Sequence, residues 1–67
     1  MFMIARIDVR TGAETEWFSA FSVDVEQVQV TRTRNHARRF KLEADALSAK
    51  SKIENVAPDH KWKVVAA

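Results

Sequence analysis

The chain has 67 residues and a mass of 7.7 kDa, enough for one domain with a small core, because a chain of this size buries roughly 60% of the surface it exposes when unfolded. Apolar residues make up 46% and charged residues 30%, too apolar a mixture for a disordered chain, and the lack of cysteine removes disulfides, thiolate metal sites and thiol catalysis together. One glycine cannot build a phosphate-cradling loop, with two histidines and no cysteine a zinc site would need carboxylates brought together from afar, and no apolar run approaches the roughly 18 to 20 residues of a membrane span.

Residues 2–10 alternate. Met3, Ala5, Ile7 and Val9 share one side and Phe2, Ile4, Arg6, Asp8 and Arg10 the other, which predicts a strand with one face buried. The apolar opening ends at Arg6, too short for a leader, so a cytoplasmic protein is expected. Thr11 and Gly12 supply a turn, because glycine accepts positive φ without a Cβ clash. A second strand follows over 14–22, with Thr15, Trp17, Ser19 and Phe21 on one face and Glu14, Glu16, Phe18 and Ala20 on the other, closing an antiparallel hairpin. A third strand is predicted over 26–32, where β-branched residues are dense, with Asp24 near the preceding turn.

From Asn35 to Asn55 there is neither glycine nor proline. Phe40, Ala44 and Leu47 recur at helical spacing, as do Leu42, Ala46, Ala49, Ile53 and Val56. Thr33 or Asn35 would cap a continuous helix. The favoured version breaks near residues 39–41, leaving a short first turn and a main helix from Glu43. Glu43 and Asp45 then complement its N-terminal dipole end, and Lys50 and Lys52 lie in its C-terminal half. Asn55 and Pro58 end it. Residues 61–66 alternate again, with Trp62, Val64 and Ala66 apolar and Lys61 and Lys63 opposite.

These elements predict an α+β fold, β-β-β-α-β, with a small, mostly antiparallel sheet and one helix packed on one face. The expected sheet order is 3-2-1-4, with the last strand parallel to the first across a right-handed crossover. Trp17, Phe21, Phe40, Leu47, Ile53 and Trp62 are the expected core.

Charge is distributed unevenly. Residues 1–30 carry two basic against five acidic side chains, a net of −3; residues 43–67 balance, with four of each. Residues 31–42 hold Arg32, Arg34, Arg38, Arg39 and Lys41 and no acid. Arginine forms planar, two-toothed hydrogen bonds with carboxylate or phosphate and stacks on aromatic faces. The functional expectation is therefore a surface facing anions, either an acidic protein patch or nucleic-acid phosphate. The competing expectation is structural: Arg32 and Arg34 pair with Glu14, Glu16 or Glu26 on neighbouring strands, and Arg38 and Arg39 are solvated.

Other candidates have simpler explanations. His36 beside Asn35 fits a helix start, and Asp59-His60 a turn. Glu14 and Glu16 have the spacing to share a strand face, as paired acids would, but lack a pocket-sized scaffold. No catalytic residue, metal or cofactor is expected. Phe2, Ile4 and Phe18, with Ala20, are more apolar than a solvated sheet face needs, so they form a candidate contact face, with self-association as one outcome.

Residues 31–47, with Ala37, Arg38, Arg39 and Phe40 leading into Glu43, Ala44 and Ala46, are followed by a closing strand containing Trp62. This half of the chain resembles small proteins of bacteriophages and prophages. The resemblance implies an origin in a mobile element and a non-enzymatic role. It also implies a host protein or nucleoprotein complex as partner, and some proteins of this kind block host defences such as CRISPR or restriction systems. Direct nucleic-acid binding, in an accessory or regulatory role, is the alternative.

Overall fold

A computed structural model describes residues 1–22 and 27–67. Its elements are β1 (Phe2–Ile7), β2 (Glu14–Phe21), β3 (Val28–Thr31), a single 3-10 turn (Arg34–His36), α1 (Glu43–Val56) and β4 (Lys61–Ala66). The strands form one sheet in the order β3-β2-β1-β4, and every neighbouring pair is antiparallel. The α+β architecture and the strand order agree with the expectation from sequence. The expected turn at Asp24 and the first residue of the predicted third strand lie outside the described residues.

β1 stops at Ile7, earlier than the alternation implied. Asp8 ends the strand by turning its carboxylate on the chain that follows: its Oδ1 accepts the Arg10 N–H at 2.8 Å, and its carbonyl accepts the Gly12 N–H at 2.7 Å. Gly12 sits at φ +75°, where a Cβ is strained. Val9, expected to be buried, is 78% exposed in this turn.

Two irregularities in β2 decide which side chains meet the helix. Arg6 pairs with Glu16, but Ile7 pairs with Glu14, and the register shifts again between Phe18 and Ala20. Each such bulge reverses the alternation of faces. Glu14 and Glu16 therefore part to opposite faces. Phe21 joins Phe18 on one face, their ring centroids 5.0 Å apart at 59°. Ile4, Phe18 and Trp62 close on Ile53 of α1, with Phe21, Val28, Val30, Phe40, Ala49, Ala57 and Val64 packed around them.

Two expected core assignments and the expected contact face change. Phe2, Ile4 and Phe18 are not an uncovered contact face: Ile4 and Phe18 lie buried under the helix, and Phe2 is half-buried. Trp17 stands opposite Ala5 on the other face, half-buried, its indole Nε1 donating to Glu14 Oε1 at 3.0 Å. Leu47 is 49% exposed. α1 instead turns Ala46, Ala49, Ile53 and Val56 inward, a stripe at the i, i+3, i+7 spacing of one helix face. Its small residues allow a close approach to the sheet. Met3 and Ala5, alternating to the side away from the helix, are also fully buried, so the central strand is covered on both faces.

α1 begins at Glu43 with Leu42 before it and no side-chain cap. Thr33 and Asn35 belong to the separate 3-10 turn instead. The Lys50 ammonium reaches Glu54 at 3.3 Å, one turn along. The helix ends where Ala57 N–H returns to the Ile53 carbonyl at 2.8 Å, and Trp62 Nε1 donates to the Ala57 carbonyl at 3.4 Å, so the buried indole keeps a partner. Among the described residues no helix is long and apolar enough to cross a membrane.

β4 runs antiparallel to β1, from Ile7 opposite Lys61 to Phe2 opposite Ala66, contrary to the parallel arrangement expected. The reason is an extra reversal between β3 and α1. Residues 38–40 run antiparallel to β1, where Phe2 and Phe40 pair as an isolated bridge. The chain then turns once more into α1, and β4 returns in the opposite sense to β1.

Candidate binding surface

The arginine-rich segment is tied down through its backbone. β1 and β2 pair from Ala5 with Trp17 to Ile7 with Glu14. Beyond that, toward the start of β1, residues 38–40 take up the backbone groups that the two strands no longer exchange. Phe2 and Phe40 donate to each other's carbonyls, both at 2.8 Å, and the Arg38 N–H donates to the Phe18 carbonyl at 2.9 Å. Phe18 lies one residue beyond Trp17, the last residue of β2 that pairs with β1, and its carbonyl takes this bond instead.

Upstream, the Thr33 N–H donates to Thr31 Oγ1 at 3.1 Å, and the His36 N–H to the Thr33 carbonyl at 2.9 Å. Ala37 is the buried peg of the segment, whereas Arg32, Arg34, Arg38, Arg39 and Lys41 are all exposed. A small buried residue, anchored backbone and outward cations follow from one another: the main chain is satisfied inside, and long charged side chains remain in water.

None of the five cations meets a carboxylate among the described residues. The ion pairs there are Arg6 with Glu16, at 2.8 Å, and Lys50 with Glu54. Glu16 is thus taken by Arg6, and Glu14 accepts the Trp17 indole. The expected pairing of Arg32 and Arg34 with these two acids does not occur; Glu26 lies outside the described residues. Arg34 Nη2 instead donates to the Ala66 carbonyl at 2.7 Å, joining the 3-10 turn to the end of β4. Arg39 Nη1 donates to the Asn35 carbonyl at 3.3 Å. The Arg38 guanidinium stands 5.9 Å from the Phe40 ring centre, a cation–π contact. A guanidinium has five N–H donors, so Arg34 and Arg39 keep most of theirs for an incoming anion.

Beneath Arg38 is a hollow of about 320 Å³, lined by Phe18, Ala20, Phe21, Phe40 and Ala49. Sequence reasoning missed it, because the β2 bulge that turns Phe21 toward Phe18 leaves no mark in the alternation.

The histidines stand apart from this surface's chemistry. His36 is exposed in the 3-10 turn. His60 meets Trp62 edge-on at 6.3 Å. It also borders a polar groove of about 390 Å³ with Arg6, Asp8, Glu16 and Asp59, whose acids and bases are mixed. Among the described residues no three histidine, aspartate or glutamate side chains come together to hold a metal ion.

No family model matches this chain, and neither the curated proteins nor the solved structures compared with it hold a match.

Proposed function

We propose that this chain is a non-enzymatic binding protein that docks on a host protein or nucleoprotein complex and blocks it, with Arg32, Arg34, Arg38, Arg39 and Lys41 at the contact. The observation that carries the reading is that five cations within residues 32–41 are all exposed and without a carboxylate partner among the described residues, on a segment whose backbone is anchored. A cationic strip on a pinned main chain loses little backbone freedom on binding, which favours association, and its charge steers encounter with an acidic surface. The kind of partner, and inhibition of a defence complex as the outcome, rest on the resemblance to small phage and prophage proteins.

The test uses the tagged chain and two paired variants, Arg38→Glu with Arg39→Glu and Arg32→Glu with Lys41→Glu. A partner captured from bacterial lysate is purified, and its affinity for each form is measured. The expected result is a loss of at least tenfold for both pairs, with circular dichroism unchanged. Equal affinity of well-folded variants removes the strip from the interface. The nucleic-acid alternative invokes the same cations and predicts affinity for duplex or single strands that falls steeply with salt; no binding at low salt eliminates it.

A further inference from the structure

We propose that the hollow beneath Arg38 seats one large apolar side chain from an acidic segment of the partner protein. This rests on the binding reading above and names what the strip recognises. Phe18, Ala20, Phe21, Phe40 and Ala49 make the wall apolar, and Arg38 is the charged group on it. The volume, about 320 Å³, is at the low end of small-ligand sites, which suits one side chain rather than a whole cofactor.

The fitting occupant is defined by what lies side by side. Apolar surface on the wall gains by excluding water. Arg38, the one charged group on the wall, has no carboxylate of its own among the described residues. An apolar side chain flanked by carboxylates satisfies both demands, and neither a bare anion nor an uncharged apolar peptide does.

The ring geometry favours a protein side chain over a nucleobase. Base stacking needs an open, flat ring face. Phe18 is only 4% exposed, the Phe18 and Phe21 rings meet at 59°, and Arg38 already stands over Phe40. A tilted cluster of this kind receives a further aromatic ring edge to face.

Three probes test this on the whole protein, by titration followed in its NMR spectrum: the capped peptides Glu-Asp-Phe-Asp-Glu and Glu-Asp-Gly-Asp-Glu, and a thymidine octanucleotide. The phenylalanine peptide is expected to bind at least tenfold more tightly than the glycine peptide and to shift the signals of Ala20, Phe21 and Ala49. Ala49→Leu, which fills the hollow, is expected to erase that preference while acidic binding persists. Equal affinity for the two peptides overturns the hollow as a site and leaves the cationic strip standing. Failure of both peptides to bind overturns it too, as does an octanucleotide that shifts these signals when the phenylalanine peptide does not. Should Ala49→Leu fail to fold, the contrast between the two peptides on the unaltered protein still decides.

Discussion

Phe2 and Phe40 exchange both of their backbone hydrogen bonds at 2.8 Å, although 38 positions separate them in the chain. That pair converts what would be a loose link between β3 and α1 into a wedge at the open end of the β1–β2 hairpin. It supplies the extra reversal that makes β4 antiparallel to β1. It also fixes where the adjacent arginines emerge, so the fold's topology and its candidate surface share one cause.

The wedge's second anchor gives a prediction that separates backbone from charge. Arg38→Gln removes the guanidinium and keeps the N–H donated to the Phe18 carbonyl. Arg38→Pro removes both, and Ala37 before it, at φ −67° and ψ 147°, already has the conformation a residue preceding proline prefers. The Pro variant is expected to be less stable than the Gln variant by about 1–3 kcal/mol, the cost of an unsatisfied acceptor. Urea denaturation of the two variants checks this, and equal midpoints would show that the Phe18 bond contributes nothing.

The core makes a sharper contrast. Ile53 is fully buried against Ile4, Phe18 and Trp62, whereas Leu47, six residues earlier on the same helix, is half exposed. Ile53→Ala is expected to cost about 2–5 kcal/mol, close to the whole stability of a domain this small. Leu47→Ala is expected to stay within about 0.5 kcal/mol. Thermal melts followed by circular dichroism measure both, and a similar fall for the two would contradict the inward stripe of Ala46, Ala49 and Ile53.

How far the sequence foretold this is clearest in the same residues. The four strands and the helix start at Glu43 were legible because each depends on short-range pattern: alternation and acidic residues at a helix start; β4 beside β1 was expected through a parallel crossover, so that part of the order agrees while its direction does not. The bulges at Arg6–Ile7 and Phe18–Ala20 were not legible, since a single extra residue leaves composition unchanged while switching every later side chain to the other face. That is why Phe21 stands on the face of Phe18 and not on that of Trp17; Phe2, Ile4 and Phe18 read as exposed and Trp17 as core for another reason, because alternation along a strand does not say which face the helix covers. The five cations were visible as a run without acids, but their freedom from carboxylates depended on Arg6 claiming Glu16, a cross-strand fact. The reversal at residues 38–40 was hidden because a one-pair bridge has no periodicity.

Gly12 isolates a purely conformational effect. Its φ of +75° is left-handed, and an added Cβ would meet nothing within 4 Å. Gly12→Ala therefore carries no clash with a neighbour, and its expected cost of about 1–2 kcal/mol is that of the backbone alone. Gly12→Asn is expected to recover part of it, because asparagine tolerates this region better. Chemical denaturation of the three forms orders them Gly, Asn, Ala; an alanine variant as stable as the parent would mean that the turn relaxes to negative φ.

The outer strand β4 gives the last prediction. Among the described residues it has a neighbour on one side only, so its other edge offers backbone groups to an extended chain, apart from the Ala66 carbonyl that Arg34 occupies. Lys61 and Lys63 are exposed on this strand, and a second copy pairing edge to edge in antiparallel register would bring lysines from the two chains near each other. Like charges in that position oppose pairing, a common protection of exposed edges. Replacing both with threonine, which has good strand propensity and no charge, is expected to shift the protein toward dimers or larger species at concentrations where the parent does not associate through β4. Light scattering across a dilution series reads the change directly. The same measurement in high salt gives a second check, because screening of the lysines should move the parent toward the variant; a variant whose mass matches the parent at every concentration would show that these lysines do not guard the edge.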